Sequence, residues 1–311
     1  MKMDVMSSGV GLDGDMVARM ILRTPCLPIP QPNGTTVWAK LEFLQPSGST
    51  KDRFAAVVLS QAIESGAVRP GTTVIEASSG STSIAFAMAC ARLSLPFVAV
   101  VPDSVSDERA MIIRRYGGEL VLTPAAQGVA TAIATAERLA AEVGDAFLPQ
   151  QFCNPLNALA HETGTGRELL DQVDGVVHAF VAGVGTGGTL AGVGRALHAA
   201  NPDVVLAEAR PMGGDGACPP LGIPGIVACM SGLLDETDVA WVIPVTEDDA
   251  LDAARELCRM GLPVGLSSGL NMAASRALAA DLPKGSRVAT VFPDRMERYF
   301  TGTLFADLVM A

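Results

Sequence analysis

Lys51 ends a run of small residues, Gln45-Pro46-Ser47-Gly48-Ser49-Thr50-Lys51-Asp52-Arg53, at the point where a helix is expected to open. An ammonium at a helix N-terminus meets the positive end of the helix dipole and is disfavoured there. Desolvated near a phosphate cradle, such an amine falls in pKa and becomes suited to Schiff-base chemistry. The alternative for any single lysine is a solvated surface charge.

Two other loops hold groups that could bind anions. Gly183-Val184-Gly185-Thr186-Gly187-Gly188-Thr189 lies between an apolar run and an Ala-rich amphipathic stretch. Its glycines let the backbone approach a ligand, and its N–H groups, Thr hydroxyls and following helix N-terminus converge on a phosphate. It lacks the Gly-Lys-[Ser/Thr] of a Walker loop and departs from G-x-G-x-x-G. The alternative is a tight turn without a ligand. Glu76-Ala77-Ser78-Ser79-Gly80-Ser81-Thr82-Ser83 places five hydroxyl side chains around one glycine, again before a helix. Neutral donors at a helix N-terminus suit a carboxylate; the alternative is a helix start with surplus caps.

The elements that must carry these loops alternate. Short β-branched runs at 36–41, 73–76, 97–101, 120–122, 176–181, 204–207, 239–243 and 288–292 predict strands. Amphipathic stretches at 53–64, 82–93, 107–116, 129–142, 190–199, 247–260 and 272–280 predict helices. Ser106 and Thr246 stand as N-caps before acidic first turns. This alternation argues for an α/β fold with parallel sheets covered on both faces. The irregular Gly/Pro-rich stretch 211–232 predicts a long functional loop. No linker divides the chain, so two domains must be interleaved.

Composition narrows the function further. A chain of 311 residues suits two domains, or one large one. Its net charge of −11 repels phosphate backbones, which argues against nucleic acid as a partner. Mean hydropathy is +0.35, but no apolar run reaches the roughly 18–20 residues of a membrane span. Six scattered cysteines without a C-x-x-C pair, and only three histidines, leave little material for a metal site. The N-terminus lacks an apolar signal core, so free thiols in a reducing cytoplasm are expected. Cys153, beside Gln151, reads as a small buried hydrophobe rather than a catalytic thiol.

Together and in this order, the loops resemble the fold-type II pyridoxal-phosphate (PLP) enzymes, specifically the cysteine synthase (O-acetylserine sulfhydrylase) and cystathionine β-synthase family, over roughly residues 24–308. Residues 46–53 are similar to P-[ST]-G-S-x-K-D-R, and Ser78-Ser79-Gly80-Ser81-Thr82-Ser83 to T-S-G-N-T-G. Gln150-Gln151-Phe152-Cys153-Asn154-Pro155-Leu156-Asn157, His161 and Thr163-Gly164-Thr165-Gly166 resemble a Q-Q-F-x-N-P-x-N…H…T-T-G segment. Gly185–Thr189 matches the phosphate loop, 265–269 resembles G-I-S-S-G, and Pro293-Asp294 with Glu297-Arg298-Tyr299 resembles P-x-x-G-E-R-Y.

The resemblance implies two interleaved α/β domains with mostly parallel twisted sheets, tryptophan synthase β-like, with PLP in the cleft between them. Residues 44–150 would form the smaller domain, and 1–43 with 151–311 the larger. It implies that Lys51 carries the cofactor as a Schiff base and shuttles the Cα proton. Gly185, Thr186, Gly187, Gly188 and Thr189 would hold the phosphate, and Ser267 the pyridine nitrogen. Ser81 stands where the family's Asn meets the ring hydroxyl. Ser78, Ser79, Gly80, Thr82 and Gln151 would take the substrate carboxylate. The activity implied is β-replacement on an activated serine (O-acetylserine or O-phosphoserine) by sulfide or a related nucleophile, through an aminoacrylate, to give cysteine or an analogue. No metal is implied, and the protein would be a cytoplasmic homodimer acting on small molecules, away from membranes. His161 reads as a structural hydrogen-bonding residue. Ser81, and Val227 in place of a family glycine, keep open β-elimination of the cysteine desulfhydrase type or a nucleophile other than sulfide.

Overall fold

The computed structural model of the protein describes residues 12–212, 226, 232–234 and 239–309. The chain runs through α1 (Asp15–Ala18), β1 (Cys26–Pro30), β2 (Thr36–Lys40), α2 (Lys51–Glu64), β3 (Thr73–Ala77), α3 (Ser81–Leu93), β4 (Phe97–Pro102), α4 (Asp107–Arg115), β5 (Glu119–Thr123), α5 (Gly128–Val143) and β6 (Ala146–Phe147). It continues through α6 (Leu156–Ala160), a π-helical turn (His161–Gly166), α7 (Arg167–Gln172), β7 (Ala179–Gly183), α8 (Gly188–Ala200), β8 (Val205–Met212), β9 (Trp241–Thr246), α9 (Glu247–Arg259), α10 (Leu266–Ala280), β10 (Arg287–Val291) and α11 (Ala306–Val309).

These elements group into two compact units. The smaller holds Ala55–Gln150 with the described residues up to Ile21, and the larger holds Leu22–Phe54 with the described residues from Gln151 onward. Residues 44–54 group with the larger unit. Bonds from Thr50 N to Pro293 O (2.8 Å) and from Arg295 N to Gly48 O (3.1 Å) tie that loop to the chain beyond β10.

The smaller unit is built on a four-stranded sheet ordered β5-β4-β3-β6, parallel throughout. Ile75, Ala77 and Val100 pack against Ala132 and Ala136 of α5. The larger unit has a six-stranded sheet ordered β1-β2-β10-β7-β8-β9, parallel except for the β1–β2 pair. One face buries Val181, Ile243 and Val288 against Leu257 of α9 and Leu270 of α10; the other buries Phe180 and Leu206 against Leu190 and Val193 of α8. Both faces are covered, which explains why the strands read as continuous apolar runs.

Three features depart from the sequence expectation. β1 has the sequence CLPIP, whose two prolines hide it; it lies at the sheet edge, where missing N–H donors are tolerated. α10 begins at Leu266 rather than 272, although Ser-Ser-Gly is a poor helix former. Packing overrides propensity there: a Cβ on Gly269 would stand 2.0 Å from Ala250 O of α9, so α10 needs that glycine to lie so close. Thr246 caps α9 as expected, its hydroxyl accepting from Asp249 N at 3.1 Å, whereas Ser106 opens α4 without a side-chain cap bond. Most of 211–232, including Gly225 and Val227, lies outside the described residues. Among the described residues, no helix is long and apolar enough to cross a membrane, and no cluster of His, Cys, Asp and Glu could hold a metal.

Candidate active site

The anion-ready loops leave the C-terminal ends of parallel strands, where ligands gather in open α/β sheets. Residues 184–187 join β7 to α8, and residues 78–80 join β3 to α3. The first belongs to the larger unit with Lys51, Gln151 and Ser267; Ser78, Ser79, Gly80, Ser81 and Thr82 belong to the smaller.

Lys51 is the first residue of α2, and its loop is clamped from two sides. Asp52 accepts the Ser47 N–H at 2.6 Å and also the Ser47 hydroxyl. Arg298 donates to Gly48 O at 2.8 Å and to Ser47 O at 2.6 Å. Gly48 has φ +84°, and a Cβ on it would stand 2.9 Å from Arg298 Nη1, so the turn requires glycine. Burial pushes the Asp52 carboxyl up to about 6, against the Ser47 bonds that favour its charged form. Behind the loop, the Arg53 guanidinium bridges Glu42 (2.7 and 2.7 Å) and Glu168 (2.8 and 2.9 Å). Lys40, fully buried, meets Glu168 at 2.6 Å. Two cations and two carboxylates thus balance in the interior and fix the first turn of α2. Burial raises the Glu42 pKa, but Arg53 overcomes this and holds it below its usual value.

Lys51 itself has no hydrogen bond or salt bridge to its ammonium among the described residues. Burial lowers its pKa; the Asp294 charge opposes this and Arg298 adds to it. Asp294 is a functional neighbour that the spacing of residues alone did not single out. It pairs with Ser49 in a β-bridge, its Oδ2 accepts the Tyr299 hydroxyl at 2.8 Å, and its Oδ1 would lie 2.4 Å from a Cβ on Gly265, the N-cap of α10. The Lys51 loop and the start of α10 therefore meet at Asp294. Ser267 sits in the first turn of α10 and is buried; neither its hydroxyl nor that of Ser268 has a protein partner among the described residues.

The glycine loop is held by two side chains from the preceding segment. Asn157 donates to Thr186 Oγ1 and to Gln151 O, each at 2.9 Å. His161 contacts Thr189 Oγ1 through Nε2 (3.2 Å) and Thr165 Oγ1 through Nδ1 (3.0 Å). Burial pushes the His161 pKa well down, and the Lys51 and Arg53 charges push it further. Lys51 is thus close enough to the glycine loop to act electrostatically on the histidine that braces it. Asn157 and His161 stand in the N-P-x-N…H segment, the signal by which sequence could find them. Cys153, expected to be buried, is exposed.

In the smaller unit, Gly80 caps α3 with φ +129°, and Ser78 turns its hydroxyl back onto the loop. Ser78 Oγ accepts from Gly80 N at 3.0 Å and Ser83 N at 3.2 Å, and pairs with Ser83 Oγ at 2.6 Å. Ser79 is exposed, Ser81 is half-buried and Thr82 is buried.

The residues fit PLP by donor chemistry. Within the larger unit they comprise a depressed amine, a Gly/Thr helix start for a phosphate and an uncommitted hydroxyl for a ring nitrogen. The hydroxyls of Ser49 and Thr50, beside Lys51, are also buried without partners among the described residues.

Comparison with known proteins agrees. Residues 17–294 match the family described as "Pyridoxal-phosphate dependent enzyme". The chain is 37% identical over 302 residues to a cysteine synthase of Staphylococcus aureus, covering 94% of this chain and 97% of that one. A crystal structure of an O-ureido-L-serine-bound mutant of O-ureido-L-serine synthase superposes with a TM-score of 0.87 at 36% identity, over 93% of this chain and 92% of the other. A hydrogen sulfide-producing enzyme from Fusobacterium nucleatum gives a TM-score of 0.87 at 30% identity, over 94% and 91%. The chain belongs to the pyridoxal-phosphate-dependent enzymes of fold type II, and within them to the cysteine synthase type.

Proposed function

We propose that the protein performs β-replacement on O-acetylserine or O-phosphoserine, with sulfide or a related nucleophile, to give cysteine or an analogue. The observation that carries this reading is Lys51: an amine at a helix N-terminus, without an ion-pair partner among the described residues, whose pKa is depressed by burial. When bound, PLP supplies the electron sink that acidifies the substrate's Cα–H. Lys51 holds the cofactor, takes the Cα proton as a neutral amine and later returns it. Gly185–Thr189 and the N-terminus of α8 hold the phosphate. Ser81 takes the family Asn's place at the ring hydroxyl. Ser267 would offer the pyridine nitrogen a neutral hydroxyl, which unlike a carboxylate would not hold a proton on the ring; the cofactor so held would favour loss of the β substituent. Residues of the 78–82 loop, together with Gln151, hold the substrate carboxylate. A cytoplasmic homodimer completes the reading.

A second reading is elimination, releasing sulfide from cysteine, or addition of a nucleophile other than sulfide. Ser81, shorter than Asn, supports it, as do the similarities to a hydrogen sulfide-producing enzyme and to O-ureido-L-serine synthase. Purified protein mixed in turn with O-acetylserine, O-phosphoserine and cysteine decides between them. A cofactor absorbance change with one activated serine, reversed by sulfide with cysteine formed, supports replacement. Pyruvate from cysteine alone supports elimination. Lys51→Ala should abolish turnover and the mass gain on borohydride reduction; surviving turnover would remove Lys51 from its role.

A further inference from the structure

Ser78 and Ser83 together limit which groups of the 78–82 loop can touch the substrate. A hydroxyl oxygen has two acceptor sites and one proton. Ser78 Oγ fills both acceptor sites with the N–H groups of Gly80 (3.0 Å) and Ser83 (3.2 Å). Its proton is then left for Ser83 Oγ, 2.6 Å away. The Ser78 hydroxyl is therefore fully committed inside its own loop, and both serines are buried. Ser83 stands where the resembled motif T-S-G-N-T-G ends in glycine, so the acceptor for that proton belongs to this chain's own sequence.

We propose that Ser83 is a positioning residue for carboxylate recognition: by taking the Ser78 proton it locks the segment 78–83, so that the substrate carboxylate is held by the residues between the two serines and not by Ser78. This rests on reading 78–82 as the carboxylate loop. Removing the Ser83 hydroxyl leaves a buried Ser78 proton without an acceptor, and the loop must rearrange to satisfy it.

The test titrates holoenzyme with L-serine and with L-serinamide, which lacks the carboxylate, following cofactor absorbance. Ser83→Ala should raise the L-serine Kd about 3–10-fold, as loss of one net hydrogen bond implies. The L-serinamide and PLP affinities should stay within about twofold. Ser83→Thr, which keeps the hydroxyl, should bind L-serine more tightly than Ser83→Ala. In a Ser78→Ala background Ser83→Ala should have no further effect, because Ser83 acts only through the Ser78 hydroxyl. An unchanged or tighter L-serine Kd in Ser83→Ala, equal weakening toward L-serinamide, or effects that multiply in the double variant would each overturn the inference. A wild-type protein that takes up no PLP would instead sink the proposed function itself.

Discussion

Gly188→Ala tests how the glycine loop is held. Gly188 is the first residue of α8, and a Cβ on it would stand 2.4 Å from Asn157 Oδ1 and 2.6 Å from Asn157 Cγ. No real contact is that short, so the Asn157 amide must move. That amide makes two bonds, to Thr186 Oγ1 and Gln151 O, each at 2.9 Å in a buried setting. At about 1 kcal/mol net for each, the substitution costs about 2 kcal/mol of loop order. In the proposed site Thr186 belongs to the phosphate cradle, so the loss should appear as roughly 30-fold weaker PLP binding, a tenfold change being about 1.4 kcal/mol. The assay is equilibrium dialysis of protein against PLP, with thermal melts of the cofactor-free protein beside it. Asn157→Ala supplies the control: it removes the obstructing amide, so adding Gly188→Ala to it should weaken PLP binding less than twofold further. If Gly188→Ala bound PLP like the wild type, or if its penalty were the same with Asn157 absent, the bracing of this loop by Asn157 would be refuted.

Three further outcomes follow from groups around Lys51. If Thr189 points its proton at a bound phosphate, its oxygen must accept from His161 Nε2–H, and Nδ1 must accept from Thr165; nitrogen NMR of the holoenzyme should then show the neutral Nε2–H tautomer, with no titration through pH 6.5. Because the folded pKa of His161 is lowered, its contribution to stability is lost as pH falls below about 6.5, where the unfolded imidazole gains its proton. Asp52 acts over a different range. Its pKa rises from 3.8 to about 6 on folding, so its contribution favours the fold below 3.8 and is lost as pH climbs through 6. Denaturant melts of wild type and Asp52→Asn at pH 4 and pH 7 should show the wild type losing ground to the variant at the higher pH; a gap independent of pH would contradict this. Arg53→Met strands the buried carboxylate of Glu42, leaving Glu168 to Lys40, and should cost about 3–5 kcal/mol in the same melts; a loss below about 1 kcal/mol would show that the network does not depend on Arg53.

The alternation of apolar runs with Ala-rich stretches made the parallel α/β architecture legible, because buried parallel strands carry that pattern regardless of partner. The three loops were legible for a similar reason: glycines, hydroxyls and an N-terminal lysine serve chemistry that few other residue types can. What stayed hidden depends on contacts between residues distant in sequence. Asp294 gains its meaning from Ser49, Gly265 and Tyr299, which no local period connects. The start of α10 is written in a close approach to Ala250 O, not in the propensity of Ser-Ser-Gly. The Lys40–Glu42–Arg53–Glu168 cluster joins four charges that each look like surface residues when read singly. Ser78 looked like one more free hydroxyl until its three bonds were seen to close on its own loop.

The larger unit uses helix N-termini for more than one end. The N-terminus of α8 follows Gly187, which has no side chain to cap it, while Thr186 Oγ1 accepts from Gly188 N at 3.4 Å; a helix start of this kind suits an anion. The N-terminus of α2 carries Lys51, a cation where the dipole disfavours one, and burial works in the same direction. The N-terminus of α10 carries Ser267, so a nitrogen base held there meets a positive potential and a neutral hydroxyl. All three effects have one sign: each favours negative charge or disfavours a proton. On the proposed function, an amine that acts as a base and a ring nitrogen that stays unprotonated would be served by the same feature that would bind the phosphate. Placing a carboxylate at position 267 would set this against itself, since Ser267→Asp would suit the first turn of α10 while holding a proton on the ring nitrogen. That variant should therefore keep or gain thermal stability and lose turnover. A variant that lost stability without losing turnover would show that the start of α10 serves the fold alone.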